Sequence, residues 1–151
     1  EPMPFFSLPD INWLQVVSHL VHLLSAYILA LPIGLDRERS EIDFGMRTFP
    51  LVAVVCCGFM LVGITVLDST DAEARVFQGI VTGIGFLGGG AILKDHNKVT
   101  GTATTASIWN TGAIGIAVAF SRYEIAIVLS ALNFITLRII GSLKNKLNID
   151  N

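Results

Sequence analysis

The stretch from Gly79 to Gly90 reads GIVTGIGFLGGG and decides how the rest of the chain is interpreted. It places six glycines in one uncharged apolar run. Each glycine inside a water-soluble helix costs about 1 kcal/mol relative to alanine, so soluble helices rarely keep so many. In a bilayer, helices associate through close backbone contact, which small residues permit. Gly79 and Gly83 lie four residues apart, on one helix face, and Gly85 and Gly89 repeat that spacing. We therefore predict a tightly packed transmembrane helix here.

The run from Gly83 to Gly88 also matches G-x-G-x-x-G, the fingerprint of dinucleotide-binding folds. That fingerprint needs a preceding strand, a following helix and an acidic residue about 20 positions further on. Residues 103–110 read ATTASIWN and contain no carboxylate, and no alternation of strands and helices surrounds the match. We therefore expect neither nucleotide binding nor another cofactor.

The composition of the 151 residues is apolar: 52 % are hydrophobic, 15 % are charged, and the mean hydropathy is +0.67. Ordinary globular domains carry about 25 % charged residues, so charge is depleted here. The net charge of −2 offers no basic excess for a nucleic-acid partner. Cys56 and Cys57 are adjacent and would point about 100° apart on a helix, so we expect packing rather than a disulfide.

Five apolar runs approach the length that a membrane-crossing helix needs, about 20 residues for a ~30 Å hydrocarbon core. We predict a single all-α domain over residues 1–151, a polytopic membrane bundle of about five transmembrane helices. A re-entrant third element is the alternative, tolerated only if it is buried in protein. Pro50 falls in the first turn of the second run, and Pro32 is expected to kink or end the first. The predicted spans are 13–35, 48–67, 76–93, 104–120 and 125–143.

Basic residues divide unevenly between the two sides of this predicted bundle. One side carries eight of them and the other only Arg75 and Arg122. Because cytoplasmic loops are enriched in Lys and Arg, we expect the N-terminus outside and the C-terminus in the cytoplasm. The eight are Arg37, Arg39, Arg47, Lys94, Lys98, Arg138, Lys144 and Lys146.

The fourth run carries small residues every four positions, which places them along one helix face. Packing explains such a face better than a permeation path does, so we expect the third and fourth runs to form an antiparallel hairpin packed through it. The small residues are Ala103, Ser107, Thr111, Gly115 and Ala119.

The densest polar cluster runs from Asp36 to Thr48 and contains four carboxylates and three arginines. If the first helix continues, Arg37/Glu41 and Arg39/Asp43 are ion pairs four residues apart. A loop whose arginines fix the topology is the main interpretation. An interaction surface and a Mg²⁺ site are the alternatives, since Mg²⁺ takes one or two carboxylates and retains water.

A second cluster, Lys94 to Thr105, contains four threonines before an apolar run, and one of them is expected to cap the helix. Anion binding at that helix start, with Lys94 and Lys98 nearby, is the alternative.

Few polar groups lie within the spans. The amides of Asn110 and Asn133 are expected to bond across helices. Arg138 is the charge within a span, and Asp36 or Glu38 on the same side is a candidate partner. No nucleophile–base arrangement or zinc spacing is present in the sequence, so we expect no enzymatic activity.

Three segments together resemble the MgtC/SapB family of bacterial inner-membrane proteins, and the resemblance covers almost the whole chain. They are residues 34–37 (GLDR), residues 45–48 (GMRT), and the run from Val81 to Trp109, which includes VTGIGFLGGGAILKD and VTGTATTASIW. Asn133 and Arg138 also match polar positions of the family's last span. Two departures are Ala103, where many members have a polar residue, and a missing C-terminal ACT-like domain, so we expect a truncated or short form.

The resemblance implies a compact membrane domain of about five helices. It also implies a regulator of low-magnesium growth, acid tolerance and virulence, and some members inhibit the F-type ATP synthase, which is therefore a possible partner. The residues that follow the family pattern are Gly34, Asp36, Arg37, Gly45, Arg47, Thr48, Gly83, Gly85, Gly88, Gly101 and Thr104.

Our main hypothesis is therefore a non-enzymatic regulator in the lipid bilayer that binds other membrane proteins and forms a homodimer. The alternative is an ion or small-molecule transporter with a polar site at the cytoplasmic side; an enzyme acting on lipid or phosphate groups is the weakest. The candidate polar cluster is Asp36, Arg37, Glu38, Arg47, Thr48, Lys94, Thr104, Asn110, Asn133 and Arg138. The candidate helix-packing glycines are Gly34, Gly45, Gly79, Gly83, Gly85, Gly88, Gly89 and Gly101.

Overall fold

The computed structural model describes residues 11–38, 45–95 and 98–147 of the chain. These residues form five helices and one short antiparallel hairpin, so the predicted all-α bundle is confirmed. The elements are α1 (Trp13–Glu38), α2 (Thr48–Val66), α3 (Thr70–Gly90), β1 (Leu93–Asp95), β2 (Lys98–Thr100), α4 (Thr102–Ala119) and α5 (Tyr123–Leu147).

Three of these helices are long and apolar enough to cross a membrane: α1, α2, and α5 over Tyr123–Leu143. The other two, α3 and α4, are less apolar. The first turn of α3 contains Asp71 and Glu73, and α4 is rich in threonine, alanine and glycine. α3 is nevertheless one continuous helix of 21 residues.

Two prolines stand in the first two helices. Pro50 lies in the first turn of α2, as predicted. Pro32 lies inside α1, which continues to Glu38, so of the two expected effects, a kink or an end of the helix, the end does not occur.

Successive helices run in opposite directions, which brings the C-terminal ends of α1, α3 and α5 beside the N-terminal ends of α2 and α4. We call this end, which carries the β1–β2 hairpin, the hairpin end. The hairpin pairs Leu93 with Thr100 and Lys94 with Val99, where the sequence predicted only a loop. That the hairpin end faces the cytoplasm stays a prediction from the distribution of basic residues.

Helix α4 is the centre of the bundle, since it packs against α1, α2, α3 and α5. Eleven of its residues are buried, among them Ile108, Ile114 and Val118. It approaches α2 closely, since a Cβ on Gly115 would overlap the backbone carbonyl of Ala53. This approach requires glycine, as expected of helices that associate through their backbones.

The contact between α3 and α4 differs from the prediction. The two helices do form an antiparallel pair, but Gly88 packs on Thr105, and Ile84 packs on Gly112. The period-four residues of α4 meet other helices instead: Gly115 packs on Ala53 of α2, and Ser107 bonds to Asn133 of α5, while Ala103 is exposed. The predicted packing of α3 through this face is therefore wrong. The period sets which residues share a face and leaves open which helix meets it.

The start of α4 also departs from the expectation of a threonine cap. The N-cap residue is Gly101, with a φ of 88° and no side-chain hydrogen bond. A Cβ there would overlap the carbonyl oxygen of Ala91, so both the left-handed backbone and the crowding require glycine. The hydroxyl of Thr105 does not cap the helix but donates to the Gly88 carbonyl of α3 at 2.7 Å.

The outer surface of the bundle is apolar. Large hydrophobic side chains from several helices are more than half exposed, including Leu14, Phe59, Phe86 and Ile140. So many exposed large apolar side chains are unusual for a soluble monomer and suit a surface in contact with lipid.

Candidate functional site: a polar cluster at the hairpin end

The centre of the polar cluster is the carboxylate of Asp36, whose side chain is 10 % exposed near the end of α1. Its Oδ2 accepts from Nη2 of Arg37 at 3.0 Å. Its Oδ1 lies 3.2 Å from Nε of Arg138 on α5. One carboxylate therefore joins two guanidinium groups and ties the end of α1 to α5.

Arg138 is held on two sides. Nε faces Asp36, and the guanidinium lies over the ring of Phe134, 5.6 Å from its centroid. Phe134 is one turn before Arg138 on α5, which is the spacing that lets two helical side chains meet. Arg138 is still 53 % exposed. Of the two acidic partners that the sequence offered, the structure selects Asp36.

Glu38 has a different role, at the chain reversal between α1 and α2. Its Oε2 accepts from the backbone N–H of Met46 at 2.8 Å. A Cβ on Gly45 would overlap this carboxylate, and a Cβ on Gly34 would stand 3.3 Å from Cα of Met46. These two glycines therefore permit a close approach of α1 and the start of α2.

Part of the first polar segment lies outside the described residues. Arg39, Ser40, Glu41 and Asp43 lie there, and with them at least one partner of each predicted pair, Arg37/Glu41 and Arg39/Asp43. Thr48 begins α2, and its N–H donates to the Gly45 carbonyl at 3.1 Å.

Two basic residues of the candidate cluster lie apart from the Asp36 group. Arg47 is exposed at the start of α2, and Lys94 is exposed on β1. The structure places both at the hairpin end without bringing either into the ion pairs of Asp36.

Hydrogen bonds between α4 and α5 extend the polar residues into the bundle. Ser107 donates to Oδ1 of Asn133 at 3.0 Å, and Nδ2 of Asn110 donates to the Leu129 carbonyl at 3.2 Å. From its spacing in the sequence, Ser107 is predicted only as a small packing residue. A period-four position that faces an amide on the neighbouring helix is a signal that could have revealed its second role.

Ser130 is a contact that the sequence did not indicate. Its hydroxyl donates to the Leu29 carbonyl of α1 at 2.6 Å. Together with Asn133, it makes α5 the helix through which α1 and α4 are hydrogen-bonded.

Oγ1 of Thr104 and Nδ2 of Asn133 are buried and have no hydrogen-bond partner among the described residues. Thr104 is only 1 % exposed and lies one turn before Ser107 on α4. Buried polar groups usually have a hydrogen-bond partner. Each of these two atoms can therefore still donate a hydrogen bond to a water or to another acceptor.

The described residues do not supply the cluster of side-chain ligands that a metal centre needs. They contain no group of three or more His, Cys, Asp or Glu side chains placed to hold an ion. Of the four carboxylates that suggested Mg²⁺, Asp36 and Glu38 have the partners described above, and Glu41 and Asp43 lie outside the described residues.

The candidate packing glycines fall into two groups. Gly34, Gly45, Gly88 and Gly101 are in close contact with other parts of the chain. By contrast, a Cβ on Gly79, Gly83 or Gly89 would meet nothing within 4 Å, and one on Gly85 would meet only Nε1 of Trp109, at 3.9 Å.

A helical bundle with an apolar outer surface and three membrane-capable helices defines a polytopic membrane protein. Comparison with known proteins places it more narrowly. The sequence profile described as the MgtC family matches residues 23–146, and the chain belongs to that family.

Relatives with assigned names support this placement. Protein SrpB of Synechococcus elongatus is 33 % identical over 143 residues, covering 86 % of this chain and 77 % of SrpB. The protein named "Putative magnesium transporter YhiD" of Escherichia coli is 30 % identical, covering 85 % of this chain and 63 % of YhiD. Protein MgtC of Salmonella typhimurium is 34 % identical, covering 72 % of this chain and 46 % of MgtC. The chain thus spans about half the length of MgtC. No solved structure matches it.

Proposed function

We propose that this chain is a non-enzymatic regulator of the bacterial inner membrane that acts by binding another membrane protein. Its setting is adaptation to low magnesium, acid tolerance and virulence, as the family resemblance implies. The F-type ATP synthase is the candidate partner that the same resemblance suggests. The magnesium setting is also supported by the name of the YhiD relative.

The outward face of α3 is the observation that carries this proposal. α3 packs mainly against α2 and α4, and the space beyond Gly79, Gly83 and Gly89 is open. Between α2 and α3, a groove of about 420 Å³ runs along the same face, with Phe59 and Leu87 among its lining residues. Because small residues allow close helix contact in lipid, this face suits a transmembrane helix of another protein.

The test is affinity purification of the tagged chain from bacteria grown in low magnesium, followed by identification of retained membrane proteins. We expect Gly83→Leu to lower partner retention about tenfold, because a bulky side chain keeps the helices apart. Gly141→Leu is the matched control, since a Cβ on Gly141 also meets nothing within 4 Å. Equal retention by both variants, or no enriched membrane protein, would contradict the proposal.

The same face is suited to a second copy of the chain, and we propose a homodimer. Detergent-corrected mass measurement or cysteine crosslinking at the outward face of α3 tests this directly. Only monomer at concentrations that retain the fold would refute it.

A second candidate function, transport of an ion or small molecule, is favoured by one observation. Polar residues on α4 and α5 extend from the hairpin end into the bundle. Among them, Oγ1 of Thr104 and Nδ2 of Asn133 have no hydrogen-bond partner in the described residues. Flux of Mg²⁺ into liposomes that contain the purified protein and an enclosed indicator tests this function. Asn133→Leu should abolish the flux if these residues form the path. Flux that persists unchanged in this variant and in Arg47→Ala would exclude the proposed polar lining.

A further inference from the structure

A groove of about 270 Å³ lies between α1 and α5 near the hairpin end. Most of its lining is apolar and comes from Ile28, Leu31, Pro32 and Leu35 of α1, with Phe134 of α5. Its two charged lining residues are Asp36 and Arg138. The groove is thus an apolar channel on the outer surface of the bundle with a charged group at one end.

The guanidinium of Arg138 is fixed in this groove. Nε is 3.2 Å from Asp36, and the ring of Phe134 supports one face of the group. A guanidinium has five N–H donors, and the contact with Asp36 engages Nε. The terminal nitrogens belong to a side chain that is 53 % exposed, so they are available to an acceptor that arrives from the membrane side.

The guanidinium of Arg138 also favours an anion. It carries a positive charge that is always present, and Asp36 contacts it at Nε. Guanidinium groups bind phosphate through paired N–H donors, and a group already held in position loses less side-chain entropy on binding. Basic pockets between transmembrane helices are suited to the headgroups of anionic lipids.

We propose that this groove binds an anionic phospholipid. The headgroup phosphate accepts from the terminal nitrogens of Arg138, and an acyl chain lies along Ile28, Leu31 and Phe134. The alternative is that Arg138 only extends its side chain to the membrane surface. It would then bind anionic lipid no more tightly than any other basic residue at a helix end does.

The experiment is a lipid titration of the purified protein, read by native mass spectrometry. Phosphatidylglycerol and phosphatidylcholine with identical acyl chains are the probes. We expect phosphatidylglycerol to bind roughly tenfold more tightly, and Arg138→Gln to remove that preference, as the loss of a charge-assisted hydrogen bond predicts. Arg122→Gln is the matched control, because Arg122 is a basic residue at the opposite end with a 68 % exposed side chain.

A second variant keeps the test decisive if Arg138→Gln does not fold. Ile28 is 61 % exposed and lines the groove, so Ile28→Trp fills the acyl site without touching the ion pair. We expect this variant to bind phosphatidylglycerol several-fold more weakly while glycerol phosphate, which lacks acyl chains, binds neither protein measurably.

Three results would overturn the proposal. They are equal binding of the two lipids by the unmodified protein, equal loss in Arg138→Gln and Arg122→Gln, and binding of glycerol phosphate as strong as that of the lipid. The last result would assign the site to a free phosphate group.

Discussion

The face of α4 that meets α2 and the face that meets α5 hold their neighbours by different means. Toward α2, Gly115 brings two backbones into contact, and an added Cβ would overlap a carbonyl. Toward α5, Ser107 and Asn110 use directional hydrogen bonds to side-chain and backbone oxygens. The contact with α2 requires that Gly115 has no side chain. The contact with α5 requires particular donor and acceptor atoms.

This difference has energetic consequences in lipid. Close packing in a membrane cannot rely on a hydrophobic driving force between helices, so shape decides whether the contact forms. Hydrogen bonds between transmembrane helices are individually modest, averaging about 0.6 kcal/mol. We therefore expect the α2 face to tolerate fewer substitutions than the α5 face.

The largest effect is expected for Gly115→Val. Its Cβ would overlap the Ala53 carbonyl, and the next neighbour, the backbone N of Cys57, is also part of the backbone, at 3.1 Å. Because neither atom can rotate away, the helices must separate, and we expect a loss of about 3 kcal/mol or more. Unfolding in mixed detergent and dodecyl sulfate measures it. Gly141→Val is the control, and similar losses for both variants would contradict the proposed difference.

Gly112→Ala should destabilise less, although it lies on the same helix. The atom that its Cβ would meet is Cδ1 of Ile84, the far end of a side chain. We expect a loss of about 1–2 kcal/mol, within the range for overpacking. Combining it with Ile84→Val, which removes Cδ1, should recover most of the loss in the same unfolding assay. Additive losses in the double variant would show that the side chain is not the obstacle.

The helices themselves were predictable because hydropathy and length determine them. The second span was expected over 48–67 and is observed over Thr48–Val66. The glycines of α3 indicated helix contact, but their spacing could not separate Gly88, which packs on Thr105, from Gly83, which has open space. That distinction depends on the rotation of α3 relative to its neighbours, a tertiary property.

The candidate site was predictable in part for a similar reason. The order of the helices places Asp36 and Arg138 at one end, so an ion pair between them was a reasonable expectation. The bond from Ser130 to the Leu29 carbonyl was not, because a backbone acceptor carries no sequence signal. The cap at Gly101 was missed because the three-residue strands that precede it are too short to leave a pattern.

On the α5 face, we expect Asn133→Leu to cost about 0.6 kcal/mol. The variant removes the acceptor for Ser107, but it also removes Nδ2, a buried donor without a partner in the described chain. These two effects oppose each other, so the net loss should be small. A double-mutant cycle with Ser107→Ala, measured by the same unfolding assay, isolates the pair. A coupling above about 2 kcal/mol would exceed known bonds between transmembrane helices and contradict this estimate.

The smallest effect is expected at Gly79, which lies on α3 and takes part in neither of the two contacts of α4 compared above. A Cβ there meets nothing within 4 Å, so Gly79→Ala should leave the stability of the isolated chain unchanged or raise it by up to about 1 kcal/mol through helix propensity. Unfolding at low protein concentration measures this effect. At high concentration, the same variant should weaken self-association if the outward face of α3 is a contact between copies. A loss of stability that is independent of concentration would instead mean that Gly79 is needed within one chain, and that α3 packs internally as α4 does.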